Sequence, residues 1–328
     1  MQAIDFIKIA PKHRQAGLTL VELMISMTLG LFVVAAALAL LLSSKAAYST
    51  QDDAVRLQDT GQHAIDIIAR SVRAAGYADW DKSEAPLLTE ATASANVAGL
   101  DAHSLKATSA GMDVPLSAAI NGSDVLALRF FGTGKGITGD GAMLNCAGFG
   151  VPAPTSTESA DDERGWSIFY VATDASGEPE LRCKYKGENN WSSDAIARGV
   201  ESFQVLYGLD TDTDGLPNRF LPASAIDLLD DGLVLSGDDP ATKQKEKSRK
   251  THWKKVVAVK VGLLVRGFQN VRVDSAASQY DLLGKAYGDV HADTDSGTRI
   301  DEAQLPASVR RRLRKVFTLT IPLRNPSS

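Results

Sequence analysis

The sequence predicts an α+β protein: one long N-terminal helix, then a β-rich region whose strands form an antiparallel sheet packed on that helix. Three observations lead there. Residues Leu18–Leu42 are largely apolar with Glu22 the one ionisable side chain, and no proline falls between Pro11 and Pro86 to end a helix. Six strand-like runs follow, mostly without intervening helices, a pattern of antiparallel pairing. At 328 residues and 44% hydrophobic content the chain can bury the core of one or two domains. Its net charge of -5 gives no whole-chain bias towards nucleic acid.

Residues 1–17 read as a leader, a processing segment outside the fold. A secretory signal has an apolar core of about 7–15 residues followed by its cleavage site. Here the apolar run is longer, and the expected cleavage residue, Gly17, precedes it. A cut after Gly17 leaves the hydrophobic helix on the mature chain. A rival cut near Ser44-Lys45-Ala46 would release a soluble domain, the route of a secreted enzyme. As a helix, Leu18–Leu42 is ~37 Å long, enough to span a bilayer core of ~30 Å with some tilt. Lys8, Lys12 and Arg14 precede it with Asp5 the only acid, so the positive-inside rule leaves the leader cytoplasmic and carries the bulk of the chain across. That compartment is oxidising, and Cys146 and Cys183, the only cysteines, are expected to pair. Closing such a loop stabilises by roughly 4 kcal/mol in the chain-entropy model. The alternative is two separate buried thiols. Within the span, a carboxylate costs about 2.5–3.5 kcal/mol at the bilayer centre and less near the interface, so Glu22 needs a compensating partner.

Beyond Leu42 the helix turns amphipathic. Ile65, Ile68 and Val72 recur at helical spacing, with Arg56, Asp66, Arg70 and Arg73 elsewhere. Arg70 and Arg73 suit a helix C-terminus and Gly76 the left-handed residue after it, giving a helical region over 18–76. Gly30 and Gly61 are points where it can bend. Residues 77–328 form the globular β-rich domain. Its first part, to residue 123, is rich in Ala, Ser, Thr and Gly and shows no assignable element. Strands are expected at Asp124–Phe131, Trp166–Thr173, Leu181–Lys186, Glu201–Tyr207, Lys255–Val265 and Val316–Leu323.

The stretch Gly17-Leu18-Thr19-Leu20-Val21-Glu22 resembles the type III signal of type IV prepilins and type II secretion pseudopilins. In that family a prepilin peptidase cuts after the glycine and methylates the new N-terminus, here Leu18, where phenylalanine is usual. A glutamate stands fifth in the mature chain, and Glu22 is fifth from Leu18. The resemblance narrows downstream. LNC and LRC around Cys146 and Cys183, VLYGLDTDTDG, VVAVKVGLLVR and the terminal RKVFTLTIPLRN are similar, in order, to the PilW family of minor pilins. It implies the type IV pilin fold, a single-pass inner-membrane anchor with a periplasmic C-terminal domain, and later residence in the pilus fibre or its tip. It also implies other minor pilins, the major pilin, the prepilin peptidase and the inner-membrane assembly machinery as partners. Glu22 would then pair with the Leu18 amine of a neighbouring subunit and set its register.

Few motifs suggest chemistry. Asp210-Thr211-Asp212-Thr213-Asp214-Gly215 alternates carboxylates before a turn glycine, a pattern that can converge on Ca²⁺. In an EF-hand register Asp210, Asp212, Asp214 and Asn218 fill ligand positions, but Leu221 stands where the bidentate acid belongs; Asp227 or Asp230 is a substitute oxygen. A solvated acidic turn is the alternative. Gly134-Lys135-Gly136-Ile137-Thr138-Gly139 matches G-x-G-x-x-G, yet a turn-rich stretch follows where a dinucleotide site needs a helix, so a flexible loop is expected. The five histidines have no metal-ligand spacing. Two basic runs, Lys243–Lys250 and Arg310–Lys315, lack interleaved aromatics and so do not favour nucleic acid. The first is expected as an exposed loop, the second as a solvated face or partner contact.

The expectation is therefore a non-enzymatic minor pilin acting in type IV pilus assembly, in a tip or priming complex. The alternatives are a type II secretion pseudopilin of the J type and a calcium-dependent tip adhesin.

Overall fold

The computed structural model describes residues 17–78, 91–156, 158–272 and 276–325. The basic leader and Pro86 lie outside them. In chain order the elements are α1 (Leu20–Ala74), β1 (Val97–Leu100), β2 (Val125–Phe130), α2 (Ala160–Glu163), β3 (Gly165–Thr173), β4 (Pro179–Lys186), β5 (Trp191–Arg198), β6 (Val200–Leu209) and β7 (Arg219–Leu221). There follow α3 (Ala223–Asp231), α4 (Pro240–Lys250), β8 (Val256–Arg266), β9 (Gln279–Asp281), α5 (Lys285–His291), β10 (Arg299–Asp301) and β11 (Arg314–Pro322). The chain divides into two units at Gln51/Asp52.

In the first unit, every described residue from Gly17 to Tyr48 is exposed. Apolar side chains face all directions there, and no described residue covers them.

In the second unit α1 has one buried face: Leu57, Ala64, Ile65, Ile68, Ala69 and Val72, spaced by three, four and seven residues. This stripe shares one core with Phe203, Val205 and Tyr207 of β6, Val259, Val261, Leu263 and Val265 of β8, and Phe317 and Ile321 of β11. Gly61 lies in the stripe. A Cβ there would stand 2.2 Å from the Phe317 ring, so the glycine lets strand and helix approach rather than acting as a bend. The helix ends at Gly76, which has φ +69° and whose N–H donates to the Arg129 carbonyl, 2.8 Å away.

Two antiparallel sheets replace the single expected one. The first has the order β1-β2-β3-β4-β5, the second β11-β8-β6-β7, and β9 and β10 make a small ribbon. Both large sheets contribute to the α1 core, the first through Leu126, Leu128, Phe169, Val171 and Leu181. The opposite face of the first sheet packs Val125, Ala127, Ile168 and Tyr170 against Leu105, from the segment that showed no pattern in sequence. Behind the second sheet, Leu264 meets Leu282, Ile300, Leu305 and Val309. Strands β6 and β8 are thus covered on both faces, which is why β8 reads almost continuously apolar.

Both basic runs depart from expectation. Lys243–Lys250 is not a loop but most of α4, an exposed helix started by Asp239, whose carboxylate accepts the Thr242 N–H at 2.9 Å, with Pro240 at its first turn. Arg310–Lys315 is only partly a solvated face. The Arg314 side chain is fully buried and pairs with Glu201 at 2.6 Å and Glu302 at 3.0 Å. Arg266 also binds Glu201, at 2.7 Å, and Glu178, at 2.5 Å, while Arg312 reaches Glu178 at 3.0 Å. These pairs join β6, β8, β11 and the start of β4. Removing one partner of such a buried pair costs about 3–5 kcal/mol, since the other charge is stranded.

A second polar group is buried without a cation. Asp124 accepts the N–H groups of Ala102 (3.0 Å) and Val205 (2.8 Å), and burial pushes its carboxyl well above the usual range. Asp295, bonded by the Tyr287 hydroxyl at 2.9 Å, is raised to about 6, chiefly by burial. A raised folded value means the neutral acid is favoured in the fold. That stability is present below the unfolded value of ~3.9 and is lost as pH rises through about 6. Paired melts of wild type and Asp295→Asn should therefore show the variant gaining on wild type between pH 5 and pH 7. A difference that stays constant with pH would show that Asp295 titrates normally.

Candidate functional site

The residues expected to carry processing and assembly lie at the start of α1. Among the described residues, no atom lies within 4 Å of where a Cβ on Gly17 would stand. Leu18 and Leu20 are both more than 70% exposed. Thr19 precedes the first helical residue, and its carbonyl accepts the Leu23 N–H at 3.1 Å. Its hydroxyl accepts the Glu22 N–H at 3.3 Å, and Glu22 Oε2 accepts in return the Thr19 N–H at 2.9 Å and the Thr19 hydroxyl at 3.0 Å. This is a capping box, in which two otherwise unsatisfied helix N–H groups and one carboxylate satisfy one another. The sequence reading assigned Glu22 only an intermolecular partner and missed Thr19. The signal was present as T-x-x-E ahead of an apolar run.

In the second unit Cys146 and Cys183 are joined by a disulfide with Cα atoms 5.8 Å apart. It fastens the loop after β2 to β4, and the Cys146 N–H donates to Ser167 Oγ at 2.9 Å. Within that loop the glycine-rich stretch turns back on itself: Asp140 N–H donates to the Thr133 carbonyl, and the Thr133 hydroxyl to Asp140 Oδ1 at 2.6 Å. No helix follows it directly, so it cradles no phosphate.

The acidic turn follows β6. Asp210, Asp212 and Asp214 each bring an oxygen within 4.8 Å of the others. Asp210 also organises the turn, accepting the N–H groups of Thr213 at 2.6 Å and Gly215 at 2.8 Å. These bonds hold its carboxyl below the usual range despite the opposing effect of desolvation. Asn218 does not offer its oxygen inward: Oδ1 accepts from the N–H and hydroxyl of Thr211, while Nδ2 donates to Asp212 at 3.1 Å. The other expected oxygens are committed elsewhere. Asp227 accepts Trp253 Nε1–H at 2.9 Å, and Asp230 binds Thr251 and His252. Three of the expected ligands therefore converge, and Asn218, Asp227 and Asp230 do not.

Residues 168–325 match the family model of PilW, Type IV Pilus-assembly protein W, and residues 12–38 match that of the prokaryotic N-terminal methylation motif. Over just under half of its length, then, the chain is similar to the PilW family, and its N-terminal stretch is similar to the methylation motif. No curated protein matches it. Among solved structures it is similar to the type IV-like pilin TTHA1219 from Thermus thermophilus, with 16% identity, 83% of this chain and 99% of that chain covered, and a TM-score of 0.33. The PilW match begins in β3 and takes in β4 to β11; the methylation motif takes in the capping box. The apolar helix with that motif is consistent with inner-membrane anchoring and incorporation into a pilus, and the motif belongs to the context of prepilin processing.

The box makes a local prediction. Thr19→Val keeps the apolar run but removes the hydroxyl, a loss of ~1 kcal/mol. In detergent micelles, amide exchange at Glu22 should accelerate roughly fivefold, with the amides of residues 57–72 unaffected. Unchanged exchange at Glu22 would mean the box does not form.

Proposed function

We propose that this chain is a minor pilin of the type IV pilus, working in the complex that primes assembly and ends at the fibre tip. In this reading the prepilin peptidase cuts after Gly17 and methylates Leu18. The mature protein then waits in the inner membrane with its globular unit in the periplasm. Assembly exchanges lipid around Leu20–Leu42 for the helices of other minor pilins and the major pilin. The observation that carries the reading is a helix start exposed on every side, headed by Glu22 and lying within the methylation motif. Glu22 would leave its own Thr19 for the Leu18 amine of the next subunit, so that only one stagger of neighbouring helices pairs both charges. Mispaired, each stranded charge costs about 3–5 kcal/mol.

The expected behaviour of Glu22→Ala is normal insertion and processing, with Leu18 as the mature N-terminus, but few surface pili and unchanged exoprotein secretion. Normal piliation would overturn the register role. Loss of secretion with intact pili would favour a type II secretion pseudopilin instead.

A second reading attaches to the acidic turn, because Asp210 bonds Gly215 N–H while its neighbours' carboxylates converge. Three carboxylates without a bidentate acid form the donor set of a weak extracellular Ca²⁺ site, with affinity on the order of 10⁻⁴–10⁻³ M. Calorimetry with CaCl₂ should give a dissociation constant in that range, lost in the Asp212→Ala, Asp214→Ala double variant. No heat at millimolar calcium would leave the turn a self-closed loop.

A further inference from the structure

A surface that the assembly reading does not use lies where the chain enters the globular unit. Asp53, buried on α1, accepts the Phe268 N–H at 3.0 Å from the loop after β8. That loop is tied to the segment preceding β11. Gly267 N–H donates to the Leu313 carbonyl (2.8 Å), Arg272 N–H to the Arg311 carbonyl (3.0 Å), and Asn270 Nδ2 to the Ser308 carbonyl (3.2 Å). Residues 267–272 and 303–313 thus form one rim, and neither stretch contains an Asp or Glu. Glu302, just before the second stretch, is buried and already bonded to Arg272 and Arg314, and Asp274, two positions past the first, lies outside the described residues.

Two cations on this rim are left over. Arg312 and Arg314 spend their charge on Glu178, Glu201 and Glu302. Arg310 and Arg311 are exposed. Each donates Nε–H only to a main-chain carbonyl, that of Leu305 at 2.7 Å and of Arg272 at 2.9 Å, with no carboxylate partner among the described residues. Phe268, on the first stretch of the rim, is 46% exposed. Among the described residues, two guanidiniums without a carboxylate partner and an exposed phenylalanine therefore share the edge that borders Asp53.

Connectivity limits what this edge can reach. Leu42, the last residue of the apolar run, and Asp53 are eleven positions apart, at most ~40 Å of chain even if fully extended. We infer that this rim rests on the anionic phospholipid headgroups of the membrane that holds the anchor, an inference that depends on Leu18–Leu42 being a membrane span. Guanidinium groups bind phosphate oxygens in pairs, and basic side chains are drawn to an anionic bilayer surface within a Debye length. Phe268 adds apolar contact at the headgroup boundary. The contact would hold the globular unit by a second point while the subunit waits, fixing which of its surfaces face away from the bilayer.

Hydrogen exchange of the full chain in nanodiscs tests this, comparing phosphatidylcholine alone with phosphatidylcholine plus phosphatidylglycerol. Amides of 267–272 and 303–313 should exchange on the order of tenfold more slowly in the anionic discs, and high salt should remove the difference. Arg310→Gln with Arg311→Gln should abolish it while β8 exchange, the check on folding, stays the same. Glycerophosphate added to the zwitterionic discs should protect nothing; protection there would make this a free-phosphate site and overturn the membrane contact. Equal exchange in both discs, with the chain inserted, overturns the rim contact alone. A chain that enters neither disc overturns the anchor and the rim together.

Discussion

The packing of one face of α1 is the constraint on which the globular unit depends. Leu57, Ala64, Ile65, Ile68 and Val72 have no other means of leaving water, and the strands of both large sheets supply the surface that covers them. The fit is close enough that Phe317 occupies the space a side chain at position 61 would need. With β6 and β8 sealed on both faces, their ends have no water to solvate charge. Glu201 and Glu302 are buried there, and Arg266, Arg272 and Arg314 neutralise them. The ion network follows from the packing. It also confers little net stability relative to a well-packed apolar alternative, so its value lies in specifying how the strand ends meet.

Upstream, the same helix faces the opposite problem. Between Leu20 and Leu42 it is largely apolar, and none of the described residues covers it. Such a surface is stable only in lipid or among other helices. A carboxylate at its head would resist both settings, but Glu22 is closed onto Thr19 by reciprocal hydrogen bonds. The box lowers the penalty of the lipid setting without consuming the charge, which stays available to a cationic partner.

Legibility in the sequence followed burial. The strands anticipated at 124–131, 166–173, 181–186, 201–207, 255–265 and 316–323 all overlap observed strands that supply side chains to a core. The elements that escaped were β1, β5, β7, β9 and β10, which are short or half-exposed, the short helices α2, α3 and α5, and the polar helix α4. Trp191–Arg198 pairs through its backbone with β4 while several of its side chains face water, so alternation is weak. Pro240–Lys250 buries no residue at all, and a helix without an apolar face leaves no period to find. In the acidic turn the carboxylates were legible, but the orientation of Asn218 and the engagement of Asp227 and Asp230 depend on residues distant in sequence or on which way an amide points.

By itself, then, the sequence determined what is local and covalent: the long helix, its change from all-round to one-sided apolarity, the Gly17–Glu22 spacing and the resemblance it carries, and the strands that must be buried. Tertiary structure decided the division into two sheets, the role of Gly61 as a close contact, and the fate of the basic run at Arg310–Lys315. That run shows the reason most clearly. Its residues are chemically alike and adjacent, yet Arg314 is enclosed with two glutamates from other elements while Arg310 and Arg311 face solvent. Charge is written in the chain, but whether it is neutralised depends on which groups the fold brings beside it.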